Sequence, residues 1–233
     1  QNSIVRYSVI KGQRLGSATG TIVFGTDPAG TGNDNNIIEE NEITDATGQS
    51  SNAVFSLGSS PLISNDNNEV KNNLISNYFD AVNTSSGIYL GDNNNNWVIT
   101  GNRLFQTSTR VYTVAKFHYG IRINYGTGYT ISNNVIGFSN ASGTGSTNMI
   151  GNSLSLPGFP SLYTSSGTAV SINYIGIACS FGSVGTASTL ASNTISGIAM
   201  FTGSNLAAIS GVWCGIYLES GNANILNNTI GTS

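Results

Sequence analysis

A six-residue pattern, aliphatic-x-x-Asn-x-Ile/Leu, recurs along the chain and constrains its fold more than any other feature. It occurs as Ile38-x-x-Asn41-x-Ile43, Val70-x-x-Asn73-x-Ile75, Ile99-x-x-Asn102-x-Leu104, Ile131-x-x-Asn134-x-Ile136, Leu190-x-x-Asn193-x-Ile195 and Ile225-x-x-Asn228-x-Ile230. The steps between the asparagines are 32, 29, 32, 59 and 35 residues. Such self-similarity is the mark of a solenoid, in which each repeat buries its apolar face only by stacking on its neighbours. All but one of these steps are a single coil, and the step of 59 reads as nearly two.

A second motif precedes the first at a near-fixed interval. Gly87-Ile88-Tyr89-Leu90, Gly120-Ile121-Arg122-Ile123, Gly176-Ile177-Ala178-Cys179 and Gly215-Ile216-Tyr217-Leu218 begin 15, 14, 17 and 13 residues before the next motif asparagine. Alternation along a strand sends Ile88 and Leu90 inward and Tyr89 outward, and Tyr217 outward by the same rule. Stacked strands lie about 4.8 Å apart, so equivalent residues form columns. The asparagines are expected at corners, where their amides bond turn backbone, tolerate positive φ and stack into a ladder. The glycines are expected to permit a tight bend.

The expectation is an all-β chain: a right-handed parallel β-helix of seven to eight coils of about thirty residues. Residues 1–233 form one such domain, a segment of a longer chain or a unit that stacks end to end, because the last motif runs to Gly231 without a polar cap. Thr21–Phe24 reads as the strand of an irregular first coil, and Ala53–Leu57 as its equivalent in the next. Residues 137–169, rich in Ser, Gly and Thr, read as an irregular loop or degenerate coil with a partial motif at Met149-x-x-Asn152-x-Leu154.

Composition narrows the function. Charged residues make up 8% and hydrophobic ones 39%, which favours a folded chain over a disordered one. A net charge of −3 argues against a nucleic-acid partner, which calls for a basic face. No run reaches the eighteen or so apolar residues of a membrane span. Cys179 and Cys214 fall about four positions apart on their strands, too far for a disulfide in register, and read as two buried free thiols. No Thr-x-Thr column recurs at the coil period, which sets ice binding aside.

The candidate chemistry lies between Arg103 and Tyr125. Arg103, Arg110, Tyr112, Lys116, His118, Tyr119 and Arg122 read as a possible glycan-binding set, since guanidinium groups clamp carboxylates and flat rings stack on sugars. A polysaccharide lyase acting on an acidic polysaccharide is the rival reading, with Lys116 or Arg122 as base and Arg103 or Arg110 as carboxylate clamp. It lacks support: no paired carboxylates stand in the middle coils, and His118, the single histidine, reads as a surface residue. No catalytic residues and no metal site are assigned. Calcium on Asp34, Glu39, Glu40, Glu42 and Asp45 is conceivable from oxygen-ligand chemistry, but no specific loop pattern supports it, and that cluster falls about two coils from the basic segment.

Gly25-Thr26 with Gly32-Asn33-Asp34-Asn35-Asn36, His118-Tyr119-Gly120-Ile121-Arg122-Ile123, Tyr129-Thr130-Ile131-Ser132-Asn133-Asn134-Val135-Ile136-Gly137 and Gly211-Val212-Trp213-Cys214-Gly215-Ile216 together carry a resemblance. Across most of its length the chain resembles the parallel β-helix repeats of very large secreted and cell-surface proteins of Bacteroidota. The resemblance implies an extracellular stalk or adhesive body of a kind often exported by the type IX route and lacking a known reaction; no cofactor is assigned. Its partners would be itself or adjoining β-helix segments end to end, and polysaccharide on the exposed faces.

Overall fold

The computed structural model describes residues 2–25, 29–151, 170–203 and 211–231. Among them the chain is all-β, and every pairing between named strands is parallel. No helix is long and apolar enough to cross a membrane.

Three sheets hold most of the strands. The first joins Ile4–Arg6, Ile37–Glu39, Glu69–Lys71, Val98–Thr100, Thr130–Ser132, Ser188–Ala191 and Ala223–Leu226. The second joins Val9–Gly12, Glu42–Asp45, Leu74–Ser76, Arg103–Phe105, Val135–Gly137, Thr194–Ser196 and Thr229–Ile230. The third joins Ile22–Phe24, Asn52–Ser56, Ser86–Leu90, Phe117–Ile123, Asn173–Ser180 and Trp213–Ser220. The chain visits the first, second and third sheets in that order and then returns to the first. Two small sheets fill the connections, Asn65–Asp66 with Asn94–Asn95, and Arg110–Tyr112 with Thr147–Gly151 and Ile198–Phe201.

The aliphatic motif positions are the inward columns. Ile38, Val70, Ile99, Ile131 and Leu190 stand in register on the first sheet, and Ile43, Ile75, Leu104, Ile136 and Ile195 on the second. Val54, Ile88, Ile121 and Ile177 do the same on the third. All of these are buried and belong to one apolar cluster. Each added repeat places one more aliphatic side chain in each of the three columns, at about 1.5–3 kcal/mol apiece, so the core grows with the stack.

The motif asparagines form an unbroken ladder between the first and second sheets. Oδ1 of Asn73 accepts both the backbone N–H and the Nδ2 of Asn41, and the same pair of bonds links Asn73 to Asn102, Asn102 to Asn134, Asn134 to Asn193 and Asn193 to Asn228, all at 2.9–3.1 Å. Each Nδ2 also donates to the carbonyl of the aliphatic residue one strand back, as Asn102 does to Val70 at 2.7 Å. The left-handed corner itself belongs to the residue before the asparagine: Glu40, Asn72, Gly101, Asn133, Ser192 and Asn227 all have φ between 54° and 67°. The asparagine satisfies the corner while its neighbour bends it, which corrects the expectation that one residue does both.

Two further corrections concern spacing and glycine. Asn134 bonds directly to Asn193, so the 59-residue step is one repeat carrying an insertion. Within that step Thr147–Gly151 is a strand paired with Arg110–Tyr112 and Ile198–Phe201; Met149 of the partial motif lies in it, while Asn152 and Leu154 fall outside the described residues. The column glycines serve space: none has positive φ, but a Cβ on Gly120 would lie 2.6 Å from the Gly176 carbonyl oxygen and 2.6 Å from Ile136. The Thr21–Phe24 strand is found at Ile22–Phe24, and two strands before it, Ile4–Arg6 and Val9–Gly12, had no clear signal.

Candidate functional site

On the third sheet, residues one place after the inward isoleucines form an outward column. In register it reads Phe55, Tyr89, Arg122, Ala178, Tyr217. Phe55 and Tyr89 have ring centroids 5.4 Å apart, and the Arg122 guanidinium lies 4.6 Å from the Tyr89 centroid and 5.0 Å from that of Tyr119. Cationic and aromatic side chains thus stack rung upon rung. At Ala178 the stack is interrupted by a methyl group, and Tyr217 resumes it one strand further on.

The interruption opens a cleft of about 370 Å³, whose lining includes Phe117, Tyr119, Arg122, Asn124, Tyr217 and Glu219. Glu219 reaches it through a β-bulge. Cys179 pairs with Leu218 and Ser180 with Ser220, leaving Glu219 as the extra residue. Bulges re-aim side chains in this way. Asn124 Nδ2 donates to the Tyr89 hydroxyl at 2.8 Å. Burial raises the Tyr119 hydroxyl pKa; Arg122 opposes this, while Glu219, Tyr89 and Tyr217 add to it, so all four groups surround that phenol. Among the described residues the ion pairs join Arg6 and Lys71 to Glu39 and Lys71 to Glu69, and none engages Arg122.

The seven residues expected to bind glycan divide into separate environments. Tyr119 and Arg122 line the cleft. Lys116 is exposed just before their strand, and Arg103 stands half-buried on the second sheet. Arg110, Tyr112 and His118 are buried, at 5%, 2% and 1% exposure, which removes them from any external contact. Arg110 donates to Gln106 Oε1 at 2.8 Å and to Asn77 Oδ1 at 2.7 Å, and burial lowers its pKa.

His118 is therefore an interior residue and not the surface histidine its isolation suggested. Its ring packs at a 39° tilt against Tyr112 with centroids 3.9 Å apart, and its Nδ1 accepts the Ser85 N–H at 3.3 Å beside the Ser85 hydroxyl at 2.9 Å. Burial lowers its pKa to about 3, against a weaker opposing pull from Asp80. Burial alone would raise the Asp80 carboxyl, but hydrogen bonds from Ser51, Asn83 and Val82 outweigh it and hold the group below its ordinary value.

The acidic cluster is spread over other partners. Asp34 accepts the Asp66 N–H at 2.8 Å, Glu39 faces Arg6 and Lys71 at 3.8 and 3.5 Å, and Asp45 accepts from Asn77 at 3.1 Å. Among the described residues no three His, Cys, Asp or Glu side chains gather. Cys179 is buried and its thiol pKa raised by burial. Cys214, expected to be buried, is half-exposed and donates to the Ile216 carbonyl at 3.2 Å.

Sequence reasoning missed Asn124, Ala178 and Glu219. The first two were within reach, since aligning the Gly-Ile-x-x motifs sets Ala178 between Arg122 and Tyr217. Glu219 was within reach too, since alternation from the outward Tyr217 sends it to the same face; only the bulge beside it gave no signal. Comparison with known proteins finds no matching family model, no similar curated protein and no similar solved structure.

Proposed function

We propose that the chain is a right-handed parallel β-helix that serves as a structural and adhesive body of an extracellular protein, with its exposed faces contacting glycans or further β-helix repeats. The observation that carries this reading is the asparagine ladder, continuous from Asn41 to Asn228 through every repeat. A ladder of that kind suits a rod, since each layer satisfies the next and stiffness accumulates with length. The cyclic order of three parallel sheets favours the helical winding, and strand twist favours the right hand for connections between parallel strands. Ile4, Val5 and Val9 on the first strands and Ile225, Leu226 and Ile230 on the last are exposed apolar side chains of the kind that a neighbouring repeat covers.

The lyase reading draws less from the geometry. Of its two candidate clamps, Arg110 is buried and Arg103 stands on a different sheet from Arg122, whose strand Lys116 precedes.

Electron microscopy of the purified protein tests the proposal. Rods that lengthen by end-to-end pairing are expected. Compact particles without a long axis, at every concentration, would remove it.

A further inference from the structure

We propose that the cleft over Ala178 binds one uncharged pyranose ring of a glycan chain, stacked between Arg122 and Tyr217. The inference rests on the adhesive reading for its setting and names the ligand class of one contact face; it does not depend on end-to-end pairing.

The argument begins with the missing layer. Strands in register lie about 4.8 Å apart, so Arg122 and Tyr217 stand two spacings, roughly 10 Å, from each other, with only the Ala178 methyl between them. Elsewhere in the column each spacing is filled by a ring or a guanidinium, as the 5.4 Å and 4.6 Å separations at Tyr89 show. The gap is therefore one side-chain layer thick. A pyranose ring has that thickness, and its axial C–H groups form an apolar face that suits the electron-rich face of tyrosine. The cleft volume, about 370 Å³, lies in the range of small-ligand sites.

The rim supplies what the sugar hydroxyls require. Arg122 offers N–H donors that no carboxylate engages among the described residues, and its plane is fixed by Tyr89 and Tyr119. Asn124, the Tyr119 hydroxyl and the Glu219 carboxylate line the same space. Hydroxyls both donate and accept, so a mixed rim of this kind suits them.

Charge selects among sugars. Glu219 offsets Arg122 within the cleft, so a uronate would gain from one and be repelled by the other. An uncharged ring meets both as hydrogen-bond partners.

Isothermal titration with cellohexaose and chitohexaose, as uncharged probes, and hexagalacturonate, as a charged one, tests the inference. The expected result is binding of at least one uncharged probe in preference to hexagalacturonate. Ala178→Tyr fills the missing layer from an outward position and should weaken that binding at least tenfold, with the thermal midpoint and circular dichroism unchanged. Tyr217→Ala should do the same by removing one wall. Glu219→Gln should leave the uncharged probe within a few-fold and strengthen hexagalacturonate. Binding of hexagalacturonate alone, binding indifferent to Ala178→Tyr, or no binding of either uncharged probe at millimolar concentration would overturn the proposal. Compact particles whose binding is lost in Ala178→Tyr would remove the rod and keep the site; rods whose binding ignores that change would do the reverse.

Discussion

Two corners of the molecule meet the same demand differently. Between the first and second sheets the buried corner is asparagine in six successive repeats, and every amide is used on both sides. At the corner entering the first sheet the column reads Ser3, Asn36, Asn68, Trp97, Tyr129, Ser188, Ala223. It begins as a ladder, with Asn36 donating to Asn68 Oδ1 through both N–H and Nδ2, and then changes chemistry. Trp97 reaches across to the Asn65 carbonyl at 2.6 Å, and the Tyr129 hydroxyl donates to the carbonyls of Asn94 and Tyr125. Phe24 packs edge-on to Trp97 and Phe181 stacks on Tyr129, so these layers are wider and apolar. A buried corner therefore requires satisfied polar groups, and asparagine is one way to supply them. Continuity separates the two corners: one is cooperative along the axis, the other a series of local solutions.

That contrast is broken first at Asn102. Asn102→Leu keeps the volume but strips a partner from the Asn73 N–H, the Asn73 amide, the Val70 carbonyl and the Asn134 amide. Buried groups left in this state cost about 1–3 kcal/mol each and are not additive, so urea denaturation should register a loss of roughly 4–6 kcal/mol.

His118 extends the comparison to an interior group that is only partly satisfied. Its folded pKa, about 3, lies below the ordinary 6.5 because of burial. The folded state thus binds fewer protons than the unfolded one, so the stability is fully present above 6.5 and is lost as the pH falls from there towards 3. The slope should approach about 1.4 kcal/mol per pH unit within that window. Denaturation midpoints measured from pH 7 to pH 3.5 in the native protein and His118→Phe should diverge, with the variant flatter.

Gly120→Ala probes the third-sheet column by placing a methyl against the Gly176 carbonyl oxygen and Ile136. Overpacking against backbone should cost about 2–3 kcal/mol, visible as a lower thermal midpoint. The smallest effect is expected where the corner is local. Trp97→Phe keeps a ring but removes the indole donor from the Asn65 carbonyl, a loss of about 1–2 kcal/mol. If Trp97→Phe proved as damaging as Asn102→Leu, the distinction between the two corners would fail.

The parallel all-β architecture and the ladder were legible because both are periodic. A residue type repeating at a fixed step has to serve each layer alike, and Asn41 to Asn228 do. The second corner was hidden because its requirement is met by unlike residues; Asn68, Trp97 and Tyr129 share a position but no chemistry. The burial of Arg110, Tyr112 and His118 escaped notice because polar residues invite an outward reading, and only the neighbours Gln106, Asn77 and Ser85 make their interior placement tolerable. Of the cleft, Arg122 and the outward Tyr217 could be read from alternation; Tyr119, two places before the inward Ile121, could not. The depth of the cleft depends on what is small, Ala178, which stands out only when the Gly-Ile-x-x motifs are aligned.

The most direct test of the continuous ladder is hydrogen exchange of the asparagine side-chain amides, followed by NMR in deuterated water. The amides of Asn73, Asn102, Asn134 and Asn193 should exchange only with global unfolding, more slowly than Asn41 and Asn228 at the ends, while Asn140 in its exposed turn exchanges at once. Rapid exchange at Asn102 and Asn134, comparable to Asn140, would contradict the account.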